Sequence, residues 1–241
     1  QILGLQFQAI PTDDQGKIQL NALKIACEQT VPIAIIATAG TSSCGAIDNL
    51  AACIELANNI NCWCHIDAAW GGALQLLNQA ELRLNIEGAD SVCFDPHKAL
   101  GQPKPCSILL YRDPIGSISD LDYLNSNPKN TLAGSYGGEL FLPLWCSLQL
   151  DKKGLMDKLT ARLAQAKHFA QLLRNNTNWQ VWHSETGIVC FKAAISCDCA
   201  DLEKRAVFST SKINGQTVMR AVFANHTISA EDLFTELLPF L

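Results

Sequence analysis

The chain has 241 residues, of which 48% are hydrophobic, ample for one sizeable core or for a large domain with a smaller one. Its net charge is -5 with no basic cluster, which excludes the electropositive face that nucleic-acid binding needs. No apolar run reaches transmembrane length and no export signal opens the sequence, so the expectation is a cytoplasmic protein with no membrane partner.

Residues 3–10 read as a strand, and 11–16 as a turn rich in Pro, Asp and Gly. Residues 19–29 read as a helix with Leu20, Leu23 and Cys27 on one face, followed by a buried strand over 31–38. A polar loop at 39–43 ends that strand. Asp48 is placed to cap a helix running to about residue 59, with Leu50, Cys53, Ile54 and Ala57 at helical spacing. The next strand, 63–67, ends in Asp67. A short helix is expected at 79–85, a strand at 91–94 broken by Pro96, and a further strand at 106–111. This alternation predicts an α/β fold with a mostly parallel sheet and helices on both faces.

Residues 115–130 have no clear period and read as a long exposed loop. Helices follow at 140–150 and 155–173, strands at 179–182, 188–191 and 217–223, and a closing helix at 230–238. Glu231 and Asp232 suit the first turn of that last helix. The expected division is therefore 1–130, part of a large α/β domain, and 131–241, a linker helix with a small α+β C-terminal domain.

Eleven cysteines could suggest a disulfide scaffold, but the chain is long and core-rich and the count is odd. Cys62-Trp63-Cys64 and Cys197-Asp198-Cys199 have one-residue spacings, unlike the pairs of zinc ribbons. The expectation is small buried residues or free thiols, and no metal site.

Two strand ends carry the chemistry. Ser91-Val92-Cys93-Phe94-Asp95-Pro96-His97-Lys98 puts a lysine at the rim where α/β sheets place their sites. Trp63-Cys64-His65-Ile66-Asp67-Ala68-Ala69-Trp70-Gly71-Gly72 puts a carboxylate at another, followed by small residues that would let a flat ring approach the backbone. Taken singly, Lys98 reads as a solvated loop lysine and Asp67 as a turn or cap residue. Together they are what pyridoxal phosphate requires: an amine to hold it covalently and a carboxylate to pair with its ring nitrogen. Arg220 lies in an otherwise apolar strand, so it needs an anion, either an internal carboxylate or a substrate's.

His65-Ile66-Asp67-Ala68-Ala69-Trp70-Gly71-Gly72 resembles the aspartate motif of the group II pyridoxal-phosphate-dependent amino-acid decarboxylases, which include glutamate, aromatic-amino-acid, cysteine-sulfinate, aspartate and diaminobutyrate decarboxylases. Asp95-Pro96-His97-Lys98 resembles their lysine motif, and Ala37-Thr38-Ala39-Gly40-Thr41-Ser42 with Gly45-Ala46-Ile47-Asp48 a third segment. The resemblance implies fold type I, pyridoxal 5'-phosphate as cofactor, and decarboxylation of an L-amino acid to an amine and carbon dioxide. It implies that Lys98 and Asp67 are catalytic, that Ala69 lies against the ring, that Thr41 is near the cofactor and that His97 is on its phosphate side. Met219-Arg220-Ala221-Val222-Phe223-Ala224-Asn225 resembles the segment whose arginine grips the substrate carboxylate. A homodimer with the site at its interface is implied, with the 115–130 loop covering the partner's site. Tyr136 reads equally as a substrate contact or a packed residue. The family's large domain starts before Gln1, so the chain corresponds to about the second half of a typical member. The earlier half carries the ring-stacking histidine and most of the phosphate loop. Another fold type I enzyme, or a non-catalytic protein that keeps the fold, are the readings that stay open.

Overall fold

The structure is a computed structural model, and it describes residues 4–77, 79–113, 137–192 and 208–241. The expected 115–130 loop, Tyr136, Cys197 and Cys199 lie outside the described residues.

Two four-stranded sheets organise the chain. The first is ordered β1 (Ala34–Thr38), β2 (Trp63–Asp67), β3 (Ser91–Phe94), β4 (Ile108–Tyr111). β1, β2 and β3 run parallel, and β4 returns antiparallel to β3. The crossover from β1 to β2 contains helix α2 (Leu50–Asn59), whose Leu50, Cys53, Ile54 and Ala57 are buried. They join Ile35, Ala37, Cys64 and Ile66 in one core. A 3-10 turn at Gly71–Leu76 packs on the same face, with Gly72 against the Phe94 ring. The other face carries Ile36, His65, Asp67, Ser91, Cys93, Leu109 and Tyr111, all side by side in the strand register and mostly half-buried or exposed.

The second sheet is wholly antiparallel, ordered β5 (Gln180–His183), β6 (Ile188–Lys192), β8 (Gln216–Val222), β7 (Ser209–Ile213). α4 (Leu142–Leu150) leads into the long α5 (Lys152–Asn176), which has Asp151 accepting from Gly154 N as its cap. Phe169, Ala170 and Leu173 of α5 meet Phe191, Phe208, Met219 and Phe223 in a second core, closed by Leu233 of α6 (Ala230–Thr235). Ser229 caps α6 through Asp232 N, with Glu231 and Asp232 in its first turn as expected.

Three local expectations need correction, and one strand was not foreseen. Residues 4–10 form no strand: Leu5 and Phe7 alternate as strand residues do, but no described strand pairs with them and both side chains are exposed. The cap of α2 is Asn49, whose side chain accepts from Ala52 N. Asp48 is buried instead, accepting from Ile18 N and Thr38 N. The 79–85 helix is one short 3-10 turn at Ala80–Leu82. β7 went unforeseen, although Asn214 (φ 47) and Gly215 (φ 77) make the left-handed two-residue turn of a tight hairpin.

The second sheet grips the loop after β1. The Gly45 carbonyl accepts from Ser184 Oγ at 2.5 Å and Thr186 Oγ1 at 3.1 Å. Trp70 Nε1 donates to Thr186 O at 2.9 Å. Gly45 sits at φ +75, and a Cβ there would lie 2.4 Å from Thr186 Oγ1, so this seam admits only glycine.

Candidate active site

Parallel pairing brings the carboxyl ends of β1, β2 and β3 to one rim. Thr38 is opposite Asp67, and Asp67 is opposite Cys93. Beyond the strands the chain segments stay tied: Ala39 N donates to Asp67 O, Ala68 N to Cys93 O and Asp95 N to Ala69 O. Gly71 closes the arrangement from the side. Its N donates to Ala39 O at 2.9 Å, and a Cβ on it would come within 2.4 Å of that oxygen. The glycines after Asp67 therefore pack the rim's own segments closely, with Gly72 against Phe94.

Asp67 Oδ1 accepts from Ala69 N at 3.1 Å and from Cys93 Sγ at 3.3 Å. Burial, reinforced by the Asp67 charge, pushes the Cys93 thiol up to about 11, so it stays protonated and able to donate. Oδ2 receives no hydrogen bond from the described residues, which leaves one fixed, half-buried carboxylate oxygen free at the rim.

Pro96 begins the single helical turn α3 (Pro96–Ala99), where its missing N–H costs nothing. That turn carries both His97 and Lys98. Lys98 Nζ pairs with Asp95 Oδ2 at 2.9 Å and its side chain is 44% exposed. An ammonium in this pair has no free lone pair, so Lys98 must leave Asp95 and lose a proton before it can attack a carbonyl. His97 Nδ1 lies 2.6 Å from Cys106 O, which fixes the ring and leaves Nε2 available.

Asp95 also accepts from Ser107 Oγ. Burial raises its pKa, but the Ser107 and Lys98 hydrogen bonds and the Lys98 charge outweigh that and hold it below the ordinary carboxylate range. A carboxyl lowered on folding stabilises the fold above its unfolded pKa, and that contribution is lost as pH falls through the folded one. Carboxyl carbon NMR should therefore show Asp95 titrating below a free aspartate, and Ser107→Ala should move it upward. A normal Asp95 titration would contradict the pairing.

Thr41 follows β1. Its hydroxyl accepts from Ala46 N at 3.1 Å and touches Cys44 Sγ. Arg220, on β8, reaches this same loop: Nη1 donates to Ser42 O, and Nε to Ser209 Oγ at 3.1 Å. Among the described residues its internal partners are thus a carbonyl and a hydroxyl rather than a carboxylate. Nη2 makes no hydrogen bond to the described residues.

A family model described as the pyridoxal-dependent decarboxylase conserved domain matches residues 1–194. The chain belongs to this family. It is 41% identical over 127 residues to an L-2,4-diaminobutyrate decarboxylase of Rhizobium meliloti, covering 48% of this chain and 25% of that protein. It is 28% identical over 208 residues to an aromatic-L-amino-acid decarboxylase of Drosophila lebanonensis, covering 78% of this chain and 52% of the relative. The glutamate decarboxylase domain structure from Vibrio parahaemolyticus superposes with a TM-score of 0.75 at 25% identity, over 95% of this chain and 51% of that one. Mouse CSAD superposes with a TM-score of 0.77 at 24% identity, over 95% and 57%, which shows the shared fold. This decarboxylase-family chain spans about half, or less, of the length of these relatives.

The donor set suits the family's cofactor. A free carboxylate oxygen matches a protonated ring nitrogen, a primary amine lies on the adjacent strand's end, and Ala69 puts a small side chain between them in sequence and at the rim. Of the residues expected at this rim, the structure places Asp67 at the end of β2 with Ala69 just beyond it, His97 and Lys98 in the turn after β3, and Thr41 in the loop after β1. Arg220 joins them through Ser42. Sequence reasoning missed Cys93 and Ser107, which act on Asp67 and Asp95. Only the strand register, pairing Cys93 with Asp67, could have pointed to the first.

Proposed function

We propose that this chain forms the lysine-bearing half of a pyridoxal-phosphate-dependent L-amino-acid decarboxylase. The observation that carries the reading is the Asp67–Lys98 rim: Asp67 ends β2 and Lys98 sits in the turn after the parallel neighbour β3, and the two segments are joined by the Asp95 N to Ala69 O hydrogen bond at 3.2 Å. Lys98 would hold the cofactor covalently, and Asp67 Oδ2 would keep its ring nitrogen protonated. Ala69 would lie against the ring, with Thr41 beside it and His97 Nε2 on the phosphate side. Bound there, the cofactor supplies the electron sink that accepts the pair left when a carboxylate departs as carbon dioxide.

The chain's own residues do the remaining work. Asp95 takes up the Lys98 ammonium and positions it, so the amine is stored close to the reacting atoms. Cys93 and the Ala69 amide hold Asp67 in one orientation. Arg220 would orient the substrate by its carboxylate, using the unengaged Nη2 while Ser42 and Ser209 fix the guanidinium plane. Residues 1–130 and 131–241 are read as the two domains whose junction contains the site. Exposed Leu142 and Trp145 on α4, and Leu109 on β4, suit burial in a homodimer. Its many cysteines suit a reducing, cytoplasmic setting.

The test is release of labelled carbon dioxide from a panel of carboxyl-labelled amino acids, acidic, aromatic and diamino, with pyridoxal phosphate added. Release from one class supports the reading, and none from any class contradicts it for this chain. With the responsive substrate, Arg220→Met should raise KM by about tenfold or more, as expected for a lost charge-assisted carboxylate contact. An unchanged KM would remove Arg220 from substrate recognition.

A further inference from the structure

Behind the lysine-bearing turn lies a cavity of about 240 Å³, lined by Gln102, Ser147, Asp151, Lys158, Arg162 and His226 among others. Arg162 is the unusual member. It is only 6% exposed, yet no carboxylate pairs with it among the described residues. Nη1 donates to Ala224 O at 2.5 Å and Nη2 to Ala99 O. Nε, also buried, has no hydrogen-bond partner among the described residues. Carbonyl oxygens solvate a guanidinium but do not neutralise it, and an uncompensated buried charge is costly.

The surroundings bring one further cation, Lys158, against one carboxylate, Asp151. Leu155, Lys158 and Arg162 recur on one face of α5, so the Lys158 ammonium shares the cavity with the guanidinium. His226 lines it from the segment after β8. Asp151 is the one carboxylate in the lining, and its Oδ1 is engaged in capping α5 at Gly154 N. The Gln102 amide nitrogen, which donates one hydrogen to Leu100 O, has a second to offer, whereas Ser147 Oγ donates to Pro143 O at 2.8 Å.

We propose that this cavity binds a small oxyanion of the phosphate or carboxylate class between Arg162, Lys158 and His226. Because Arg162 also holds Ala99 O, one residue beyond Lys98, an occupant would bear on the turn that presents the lysine.

Calorimetric titration of the full chain with inorganic phosphate, and separately with acetate, tests this in a buffer containing neither. The expected result is saturable binding of at least one of them. Lys158→Met should weaken it about tenfold and Arg162→Met should abolish it. Phosphate binding alone assigns a free phosphate, and acetate binding alone a carboxylate. Absence of binding by both overturns the proposal. So does binding that Lys158→Met leaves unchanged, which marks an adventitious ion only, or phosphate held at the cofactor rim. If the buried Arg162→Met chain does not fold, Lys158→Met at its exposed position decides alone.

Discussion

Replacing Lys98 by alanine should abolish covalent capture of pyridoxal phosphate and lower decarboxylation by roughly a thousandfold or more. The expectation rests on chemistry, not on folding. The Lys98 side chain is nearly half exposed and its only ion pair among the described residues is with Asp95, a kind of contact that contributes about 1 kcal/mol or less. The Asp95 carboxylate keeps its Ser107 hydrogen bond when the lysine is gone. Thermal unfolding of Lys98→Ala should therefore stay close to that of the parent chain, while the cofactor's visible absorption when bound through lysine disappears. A variant that still captures the cofactor covalently would place the reactive amine elsewhere.

Asp67→Asn should cost about a hundredfold to ten-thousandfold in rate while leaving covalent capture at Lys98 in place. The substitution is nearly isosteric. The amide oxygen can still accept from Ala69 N and Cys93 Sγ, so the segment beyond β2 keeps its course. What it cannot do is balance a positive ring nitrogen with a charge, since the free Oδ2 becomes an uncharged amide group. The readout is the split between capture, retained, and turnover, lost. Equal turnover in Asp67→Asn would mean the carboxylate has no electrostatic part in the reaction.

The strands that position the site were legible because their signals are local. Trp63–Asp67 and Ser91–Phe94 are short apolar runs with polar or proline terminators, and both appear at the expected limits. The same rule misled at 4–10, where alternation exists but no described strand pairs with it. It also missed Ser209–Ile213, whose polar residues show no apolar alternation and whose only fully buried member is Ile213. Asp48 and Asn49 are adjacent potential caps. Which one bonds the helix and which one turns inward to Ile18 and Thr38 is decided by tertiary contacts.

The site divides in the same way. Asp67 and Lys98 announce themselves by residue type at strand ends. The Arg220 partners do not, because Ser42 lies 178 positions away and contributes a backbone carbonyl. Arg162 was less legible still. In a helix containing Lys152, Lys153, Lys158, Lys167 and Arg174 it reads as one more solvated cation, and only packing against Ala99 and Ala224 shows that it is buried.

The most direct test of the central claim is to incubate the full chain with pyridoxal phosphate, reduce with borohydride and map the modified peptide by mass spectrometry. A cofactor site at the Asp67–Lys98 rim predicts a single dominant modification on Lys98. Labelling spread over the exposed lysines, or none at all, would contradict it.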